Sequence, residues 1–281
     1  MRHKYLTRAL LLLVSGLVVT WTVFPFAWYL LVSLTSPGHI PRRLEIPDAV
    51  TLRSYGAVIF GGDYVEVGAK FSVLPNIVNS LIVASLTAAI SIGASFGAAY
   101  VFSRHRSRAL TVAFNGLLLI RMTPAVSLAV PIFLMMSGYN LLDTHIGLAL
   151  VHAMLAMPLA IWLTKGFIDG IPVEIEEAAF IDGATLLQVL RYVVMPLAAP
   201  GVAVTACFVF LASYIEFMFA LILSRGSTNT LPLAIASYNS EHQTFYNEMA
   251  AASFISMIPL VVFFYFAGRY MVGGLTMGAV K

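Results

Sequence analysis

Residues 166–196 read GFIDGIPVEIEEAAFIDGATLLQVLRYVVMP, a charged segment between two strongly apolar stretches of the chain. Five of the thirteen acidic residues of the protein lie in it: Asp169, Glu174, Glu176, Glu177 and Asp182. A bilayer-spanning helix is excluded here, because a charged side chain costs about 2.5–3.5 kcal/mol at the centre of a membrane. The segment is patterned for helix, which a plain spacer would not need. We interpret it as a docking element for another molecule.

The composition requires lipid as the solvent for much of the chain. Of its 281 residues, 60% are hydrophobic and only 10% are charged, whereas soluble domains carry about 25% charged residues. The net charge is +3, and the Lys and Arg residues lie in loops except for Arg121, so we predict no nucleic-acid surface. The single cysteine, Cys207, lies inside an apolar run. It excludes an intrachain disulfide and a cysteine metal cluster within this sequence, and we predict that it is a packing residue.

Six apolar segments are each long enough to cross a bilayer, which takes about 20 residues of helix. Since no alternating pattern runs through them, the prediction is an all-α polytopic membrane protein, with residues 1–281 forming a single transmembrane domain. The predicted transmembrane helices are 9–34, 76–102, 109–136, 146–165, 202–223 and 248–270. The first is longer than the apolar region of a signal peptide, which is about 7–15 residues, and is predicted to be retained.

The positive residues set the predicted orientation. Ten Lys and Arg residues lie on the side of the two termini and the charged segment, and five lie on the other side within or beside long loops. Cytoplasmic loops carry the excess of Lys and Arg. We therefore expect both termini and the charged segment to be cytoplasmic.

The local sequence of the charged segment predicts a helix–turn–helix. Pro172 suits the first helical position, and the glutamates that follow lie near the positive end of the helix dipole. Gly183 can adopt the left-handed conformation that ends a helix. A second helix is expected from Ala184 to about Met195, ended by Pro196, after which Pro200-Gly201 turns the chain back into the membrane. An amphipathic loop on the membrane surface is the alternative, but it would need a basic face rather than an acidic one.

One motif in this segment resembles a known family. Glu177-Ala178-Ala179 is followed after three residues by Gly183, and after nine more by Val193-Val194-Met195-Pro196. This is similar to the EAA signature, E-A-A, three residues, G, nine residues, I-x-L-P, of permease subunits in binding-protein-dependent ABC importers. The triplet Asp182-Gly183-Ala184 is similar to the carbohydrate branch of that family, the maltose-transporter type. So are three further stretches: Pro196-Leu197 with Pro200-Gly201, Asn79–Ala84, and the C-terminal Gly274–Lys281.

The resemblance implies the fold of an ABC type I importer permease, with residues 167–200 as its cytoplasmic coupling loop. In such permeases the EAA helix fits a cleft on an ATPase, where Glu177 would pair with a basic residue and Gly183 would allow the sharp turn. The residues expected to couple to the ATPase are Glu174, Glu177, Ala178, Ala179, Asp182, Gly183 and Pro196. In the fifth span, family members often carry W-N-E-F, whereas this chain has Tyr214-Ile215-Glu216-Phe217, so only the Glu-Phe pair is shared there.

The energy source is expected to be a separate subunit. The chain contains no G-x-x-x-x-G-K-[S/T] sequence and so no P loop for ATP. We predict no bound cofactor or metal on this chain, with ATP and Mg bound by the partner ATPase. The resemblance further implies nucleotide-binding ATPase subunits, a second homologous permease, and an extracytoplasmic substrate-binding protein that residues 224–247 would meet. The C-terminal tail is either a disordered end or, through Thr276 and Gly278, a contact to the ATPase.

Ionisable residues within spans are costly and mark functional sites by default. Arg121 and Glu216 are the candidates. They either pair with each other or line a polar cavity, in which Asn76, Asn79, Ser213 and Tyr214 would offer hydrogen bonds to hydroxyl groups. The histidines have no spacing typical of a metal site.

The predicted function is that of a permease subunit, not an enzyme. It would form half of the path by which an ATP-driven importer in the plasma (inner) membrane of a prokaryote takes up a sugar, oligosaccharide or related polyol. The alternative is a secondary transporter driven by an ion gradient, which would need internal repeats and several buried acids. A membrane scaffold is a third possibility, but it gives no reason for the patterned acidic segment. The sequence does not identify the solute.

Overall fold

A computed structural model describes residues 2–36, 50–61, 72–239 and 244–277. These residues are almost entirely helical, with one isolated antiparallel bridge between Asn239 and Thr244. The predicted all-α class is therefore confirmed. The exposed faces of the long helices are rich in leucine, valine and phenylalanine, as expected where lipid is the solvent.

The helices are labelled in chain order. They are α1 (Arg2–Ser33), α2 (Arg53–Phe60), α3 (Leu74–Arg104), α4 (Arg108–Ile120), α5 (Ala129–Gly138), α6 (His145–Asp169), α7 (Val173–Ile181), α8 (Leu186–Val189), α9 (Met195–Tyr214), α10 (Met218–Leu223), α11 (Leu231–Ala236) and α12 (Tyr246–Met277). A short 3-10 helix, Ala125–Leu128, precedes α5, and a π-helix, Leu190–Val194, joins α8 to α9.

Among the described residues, five helical segments are long and apolar enough to cross a membrane, and a bent pair brings the number to six. The five are Leu10–Ser33, Leu74–Arg104, His145–Asp169, Leu186–Tyr214 and Tyr246–Gly268. The bent pair is Arg108–Ile120 with Ala125–Gly138, whose axes differ by 97°. Where we expected one helix over 109–136, the chain breaks at 121–124. Pro124 accounts for the break, because proline has no backbone N–H and disfavours helical geometry in the residue before it.

The largest difference from the sequence expectation lies after α8. We expected Pro196 to end the second helix and Pro200-Gly201 to turn the chain; both expectations are wrong. Helix continues from Leu186 to Tyr214 through both prolines. The π-helix ends at Val194, two residues before Pro196, and its wider turn changes the hydrogen-bond register close to the position where the proline supplies no N–H. The helix then ends at Tyr214 rather than at 223, and residues 215–217 separate α9 from α10.

Contacts within the chain divide it into two compact units. The first contains the described residues of Met1–Leu74 and Ala234–Met257. Its polar centre is Asn247, whose amide donates to the carbonyl oxygen of Val32 at 2.8 Å and to the hydroxyl of Thr35 at 2.6 Å. In the same unit, the hydroxyls of Ser33 and Tyr55 lie 2.8 Å apart.

The second unit contains the described residues of Pro75–Leu233 and Ile258–Lys281 and holds the sites described below. Its main packing is α6 against α9, where the chain requires glycine at position 201. A Cβ added to Gly201 would collide with the Cγ, Cδ1 and Cδ2 atoms of Phe167 on α6. An apolar cluster that includes Ile168, Val189 and Val194 joins the end of α6 to the start of the long α8–α9 helix.

Candidate functional site

Helix α7 carries three of the five acidic residues of the acidic segment, the name we keep for residues 167–200. Helix α6 ends at Asp169, and α7 begins at Val173, directly after Pro172. Pro172 thus lies at the N-cap, one position before the helical position predicted for it. Glu174 and Glu176 fall in the first turn of α7, near the positive end of its dipole.

Glu176 is buried, and it faces the protein rather than a partner. Its side chain is 3% exposed, and its Oε1 atom accepts from Arg104 Nη2 at 2.6 Å and from Arg104 Nε at 2.9 Å. Its Oε2 atom accepts from the hydroxyl of Tyr100 at 2.9 Å. Arg104 Nη2 also donates to the carbonyl oxygen of Ile171 at 2.9 Å. These bonds tie the last residue of α3 to the first turns of α7.

Asp169 is likewise bonded within the chain. Its Oδ2 atom lies 2.6 Å from Lys165 Nζ, one helical turn earlier, and its Oδ1 atom accepts from Ser103 Oγ at 2.6 Å. Asp169 and Glu176, which are not among the residues expected to couple to the ATPase, are thus both bonded within the chain. Glu174, Glu177 and Asp182 remain exposed, and no hydrogen bond or ion pair engages their side chains within the described residues.

Gly183 ends α7 as the sequence predicted, with φ at +85° in the left-handed region. The N–H of Gly183 donates to the carbonyl oxygen of Phe180, and the N–H of Ala184 donates to that of Ala179, both at 3.0 Å. This pair of bonds is the Schellman motif, which satisfies carbonyls at the end of a helix. The next helix begins at once, because Thr185 caps α8 through a 2.7 Å bond from its N–H to the side chain of Gln188.

The tip of the acidic segment is apolar as well as acidic. Ile181 is 86% exposed and Leu187 is 74% exposed, on either side of the Gly183 turn. Ala178 is exposed and Ala179 half-buried, so the surface of α7 beside Glu177 is flat. A cleft of about 1490 Å³ opens between this helix and the α3–α4 loop, and Arg106 and Arg108 lie on its other side.

Four of the six polar residues expected along a substrate path fall into two separate groups. In the first, Glu216 contacts His152 of α6, with Oε2 and Nε2 3.1 Å apart. The Nδ1 atom of His152 lies 2.8 Å from the hydroxyl of Ser213, which donates to Thr87 at 3.1 Å. Glu216 also accepts from the N–H groups of Phe219 and Ala220 at the start of α10.

Arg121 takes no part in this group. It is exposed at the break that follows α4, and the pairing of Arg121 with Glu216 that we considered is not formed; His152 is the partner of Glu216. Tyr214 is 3% exposed and its ring stacks with Phe210 at a centroid distance of 6.0 Å. Sequence reasoning missed His152 and Thr87, since a single polar residue in an apolar run gives no sign of its partner.

The second group holds the loop between α10 and α11. Asn76 and Asn79 both donate to the carbonyl oxygen of Asn229, at 2.9 and 3.0 Å, and Asn79 also donates to that of Ser227. His145 Nε2 lies 2.8 Å from Asn79 Oδ1. The two asparagines thus bind backbone, whereas we had expected them to face a solute.

Asp143 holds the same loop from the other side. Its carboxylate accepts from the N–H groups of Arg225 and Thr228 at 3.0 Å each, and from the hydroxyls of Ser227 and Thr228 at 2.6 and 2.8 Å. Burial would raise the pKa of Asp143, but these bonds, led by the one from Arg225, hold it well below its usual range. The loop from 225 to 229 is therefore fixed in place by named polar contacts.

The fold and the acidic segment together define a transport subunit of the membrane. Residues 89–276 match the family described as the binding-protein-dependent transport system inner membrane component, and the chain belongs to that family. It is 34% identical to the trehalose transport permease SugB of Mycobacterium tuberculosis over 94% of each chain. It is 31% identical to the trehalose/maltose permease MalG of Thermococcus litoralis, over 100% of this chain and 99% of that one.

Solved structures agree on the fold. A bacterial ABC transporter that imports alginate superposes with a TM-score of 0.75 at 20% identity, over 96% of this chain and 98% of that one. The methionine transporter MetNI gives 0.55 at 15% identity, over 71% and 94%. The chain has the fold of an ABC importer permease.

These findings confirm the family resemblance seen in the EAA motif. The chain is a multi-pass membrane permease subunit of an ABC importer and not an enzyme, since ATP hydrolysis in this family belongs to a separate subunit. Permeases of this family work with ATPase subunits, a binding protein and a second permease. Nothing in the comparisons supports transport driven by an ion gradient.

Proposed function

We propose that this chain forms half of the translocation path of an importer for a sugar, oligosaccharide or related polyol. The names of its relatives support the solute class, because SugB and MalG are permeases for trehalose and maltose. The hydroxyls of Thr87 and Ser213 are buried and bonded to each other beside His152 and Glu216, which makes a polar cluster among apolar helices. A second homologous permease would complete the path.

The exposed acidic and apolar surface of α7 is the proposed contact to the ATPase. We name the ATPase face as Glu174, Glu177 and Asp182 together with Ile181 and Leu187. Its three carboxylates have no partner within the described residues, while Asp169 and Glu176 are bonded internally. This difference is the observation that carries the proposal. A carboxylate that is already bonded within the chain does not need a contact with another protein. Exposed acids around apolar side chains, by contrast, suit a basic groove on another protein.

The remaining coupling residues support this face. Ala178 and Ala179 keep its surface flat, Gly183 makes the turn, and Pro196 lies after the π-helix that joins α8 to α9. On this proposal the chain lies in the inner membrane of a prokaryote, with both termini and the ATPase face in the cytoplasm. ATP and Mg bind to the ATPase. The loop fixed by Asp143, Asn76 and Asn79 lies on the outer side, where it would meet the binding protein.

Glu177→Lys tests the proposal in the complex purified with its ATPase, second permease and binding protein. We expect the protein to insert normally but to lose about tenfold or more in ATPase copurification, because a hydrogen bond to a charged group contributes about 1.5–3 kcal/mol. Gly183→Asp should also uncouple the complex. The control is Arg106→Glu, a charge reversal of equal size on the neighbouring loop. Normal copurification and uptake by Glu177→Lys would contradict the proposed ATPase face.

A further inference from the structure

Helix α3 is attached by polar side chains at both of its ends. Arg104, its last residue, is bonded to Glu176 of α7. Near its first residue, Asn76 and Asn79 donate to the carbonyl oxygens of 227 and 229, and Ser80 Oγ accepts from the N–H of Leu231 at 2.8 Å. Between positions 76 and 104 the helix rises about 42 Å, at about 1.5 Å per residue. One continuous helix therefore joins the acidic segment to the α10–α11 loop.

The contact between α3 and α7 depends on a buried carboxylate. Glu176 is the one buried residue of α7, so a carboxylate rather than an apolar side chain anchors this helix. An apolar contact can slide with little loss, because the hydrophobic effect is not directional. Both oxygens of Glu176 are hydrogen-bonded, to Arg104 and to Tyr100. Charge-assisted hydrogen bonds of this kind fix orientation as well as distance.

The attachment at the other end is equally directional. The amides of Asn76 and Asn79 converge on the carbonyl oxygen of Asn229, and His145 Nε2 lies against Asn79 Oδ1. Since the Asn79 amide nitrogen already donates to backbone, its Oδ1 atom accepts a hydrogen bond from the Nε2–H group of His145. A movement of α3 would thus carry the 227–231 backbone with it.

We propose that α3 is a strut that transmits movement between the ATPase face and the α10–α11 loop. The pair Arg104–Glu176 is its joint at one end, and Asn79 its joint at the other. This inference rests on the proposed function, which gives each end a partner. It adds two positioning residues, Glu176 and Asn79, whose side chains are bonded within the chain. ATP binding on one side and binding-protein docking on the other would then influence each other through one helix.

The test follows the loop while the ATPase is occupied. Cys207 is replaced by serine, and Arg225→Cys supplies a single exposed thiol on the loop. In the reconstituted complex, the rate of thiol labelling is measured with and without a non-hydrolysable Mg–ATP analogue. We expect the nucleotide to change this rate when α3 is intact. Glu176→Gln should reduce the change by about 2- to 30-fold, the range for residues that lie between coupled sites.

The control is Lys165→Gln. It removes an ion pair of the same 2.6 Å length, but one that joins two residues of a single helix, α6. Labelling in this variant should respond to nucleotide as in the parent. Should Glu176→Gln fail to fold, Arg104→Lys and Tyr100→Phe weaken the same joint with less disturbance.

A second joint makes the test specific for a strut. Asn79→Leu keeps the size of the side chain and removes its hydrogen bonds. If both joints act in series through α3, the double variant Glu176→Gln/Asn79→Leu loses no more than the stronger single variant. Additive losses, or a full nucleotide response in Glu176→Gln with the ATPase still bound, would overturn the strut. Failure of the parent complex to bind an ATPase would instead overturn the proposed function.

Discussion

The close approach of α6 and α9 gives the sharpest stability prediction. Gly201 leaves no room for a Cβ, which would collide with three ring atoms of Phe167. Overpacking a well-packed site costs about 1–3 kcal/mol. Replacing glycine by alanine inside a helix recovers about 0.5–1 kcal/mol. We expect Gly201→Ala to lower the stability of the subunit by a net of about 0.5–2 kcal/mol.

A second glycine, Gly97, offers a control substitution whose expected effect on stability is the opposite of that of Gly201→Ala. Gly97 lies in α3, and a Cβ added there would meet no atom within 4 Å outside the adjoining backbone of its own helix, so the substitution Gly97→Ala meets open space. It should therefore stabilise by about 0.5–1 kcal/mol. The pair of variants makes the same chemical change in two helices, and only the neighbouring ring distinguishes them.

The lone cysteine provides the assay. Cys207 is buried in α9, so a thiol-reactive fluorophore reports unfolding of the purified subunit in detergent as temperature rises. A change of 1 kcal/mol moves the midpoint by about 2–4 °C in a protein of this size. Gly201→Ala should lower the midpoint and Gly97→Ala should raise it.

Two variants of Phe167 refine the test. Phe167→Ala removes the colliding ring and should make a further Gly201→Ala change neutral or favourable. Phe167→Leu should not, because leucine has a Cγ where phenylalanine has one. A higher midpoint for Gly201→Ala in the presence of Phe167 would refute the close approach.

Two further predictions concern the turn of the acidic segment and the outer loop. Gly183→Ala has space for its Cβ but must hold φ at +85°, which costs about 1–2 kcal/mol. Hydrogen exchange of the amides at the end of α7 should therefore become faster. Asparagine tolerates this conformation, so Gly183→Asn should show a smaller effect. At the loop, the pKa of Asp143 is lowered in the folded protein, so its stabilisation is present above the unfolded pKa of about 3.9 and is lost as pH falls through the folded value. Protection of the amides of 225 and 228 against hydrogen exchange should therefore stay constant from pH 7 to 5. The Asp143→Asn variant should lose this protection at every pH. Loss of protection in the parent near pH 5 would contradict the lowered pKa.

Local patterns explain what the sequence predicted well. Long apolar runs must form helices in lipid, since no water is present to satisfy their backbone groups. Gly183 was predictable because the residue that ends a helix in the left-handed conformation is usually glycine. The break at 121–124 was within reach too, since Pro124 carries its signal locally. The prediction that Pro196 ends a helix was wrong because the effect of this proline depends on the π-helix before it. No local sequence pattern indicates the change in hydrogen-bond register that the π-helix makes.

Sequence alone therefore determined four things: that lipid surrounds much of the chain, that the fold is all-helical, which family the chain belongs to, and where α7 turns. Each of these depends on residues close together in the chain. Tertiary structure alone decided what two acids of the acidic segment, Asp169 and Glu176, bind. Glu176 and Glu177 are adjacent and chemically identical, but successive residues of a helix point about 100° apart. Arg104 and Tyr100 lie more than 70 residues earlier and take Glu176 into the protein, which leaves Glu177 exposed. The contact between His152 and Glu216 has the same origin. His152 lies on α6 and Glu216 directly follows α9, and neither stretch of sequence indicates the other residue. Packing of α6 against α9 brings the two side chains together.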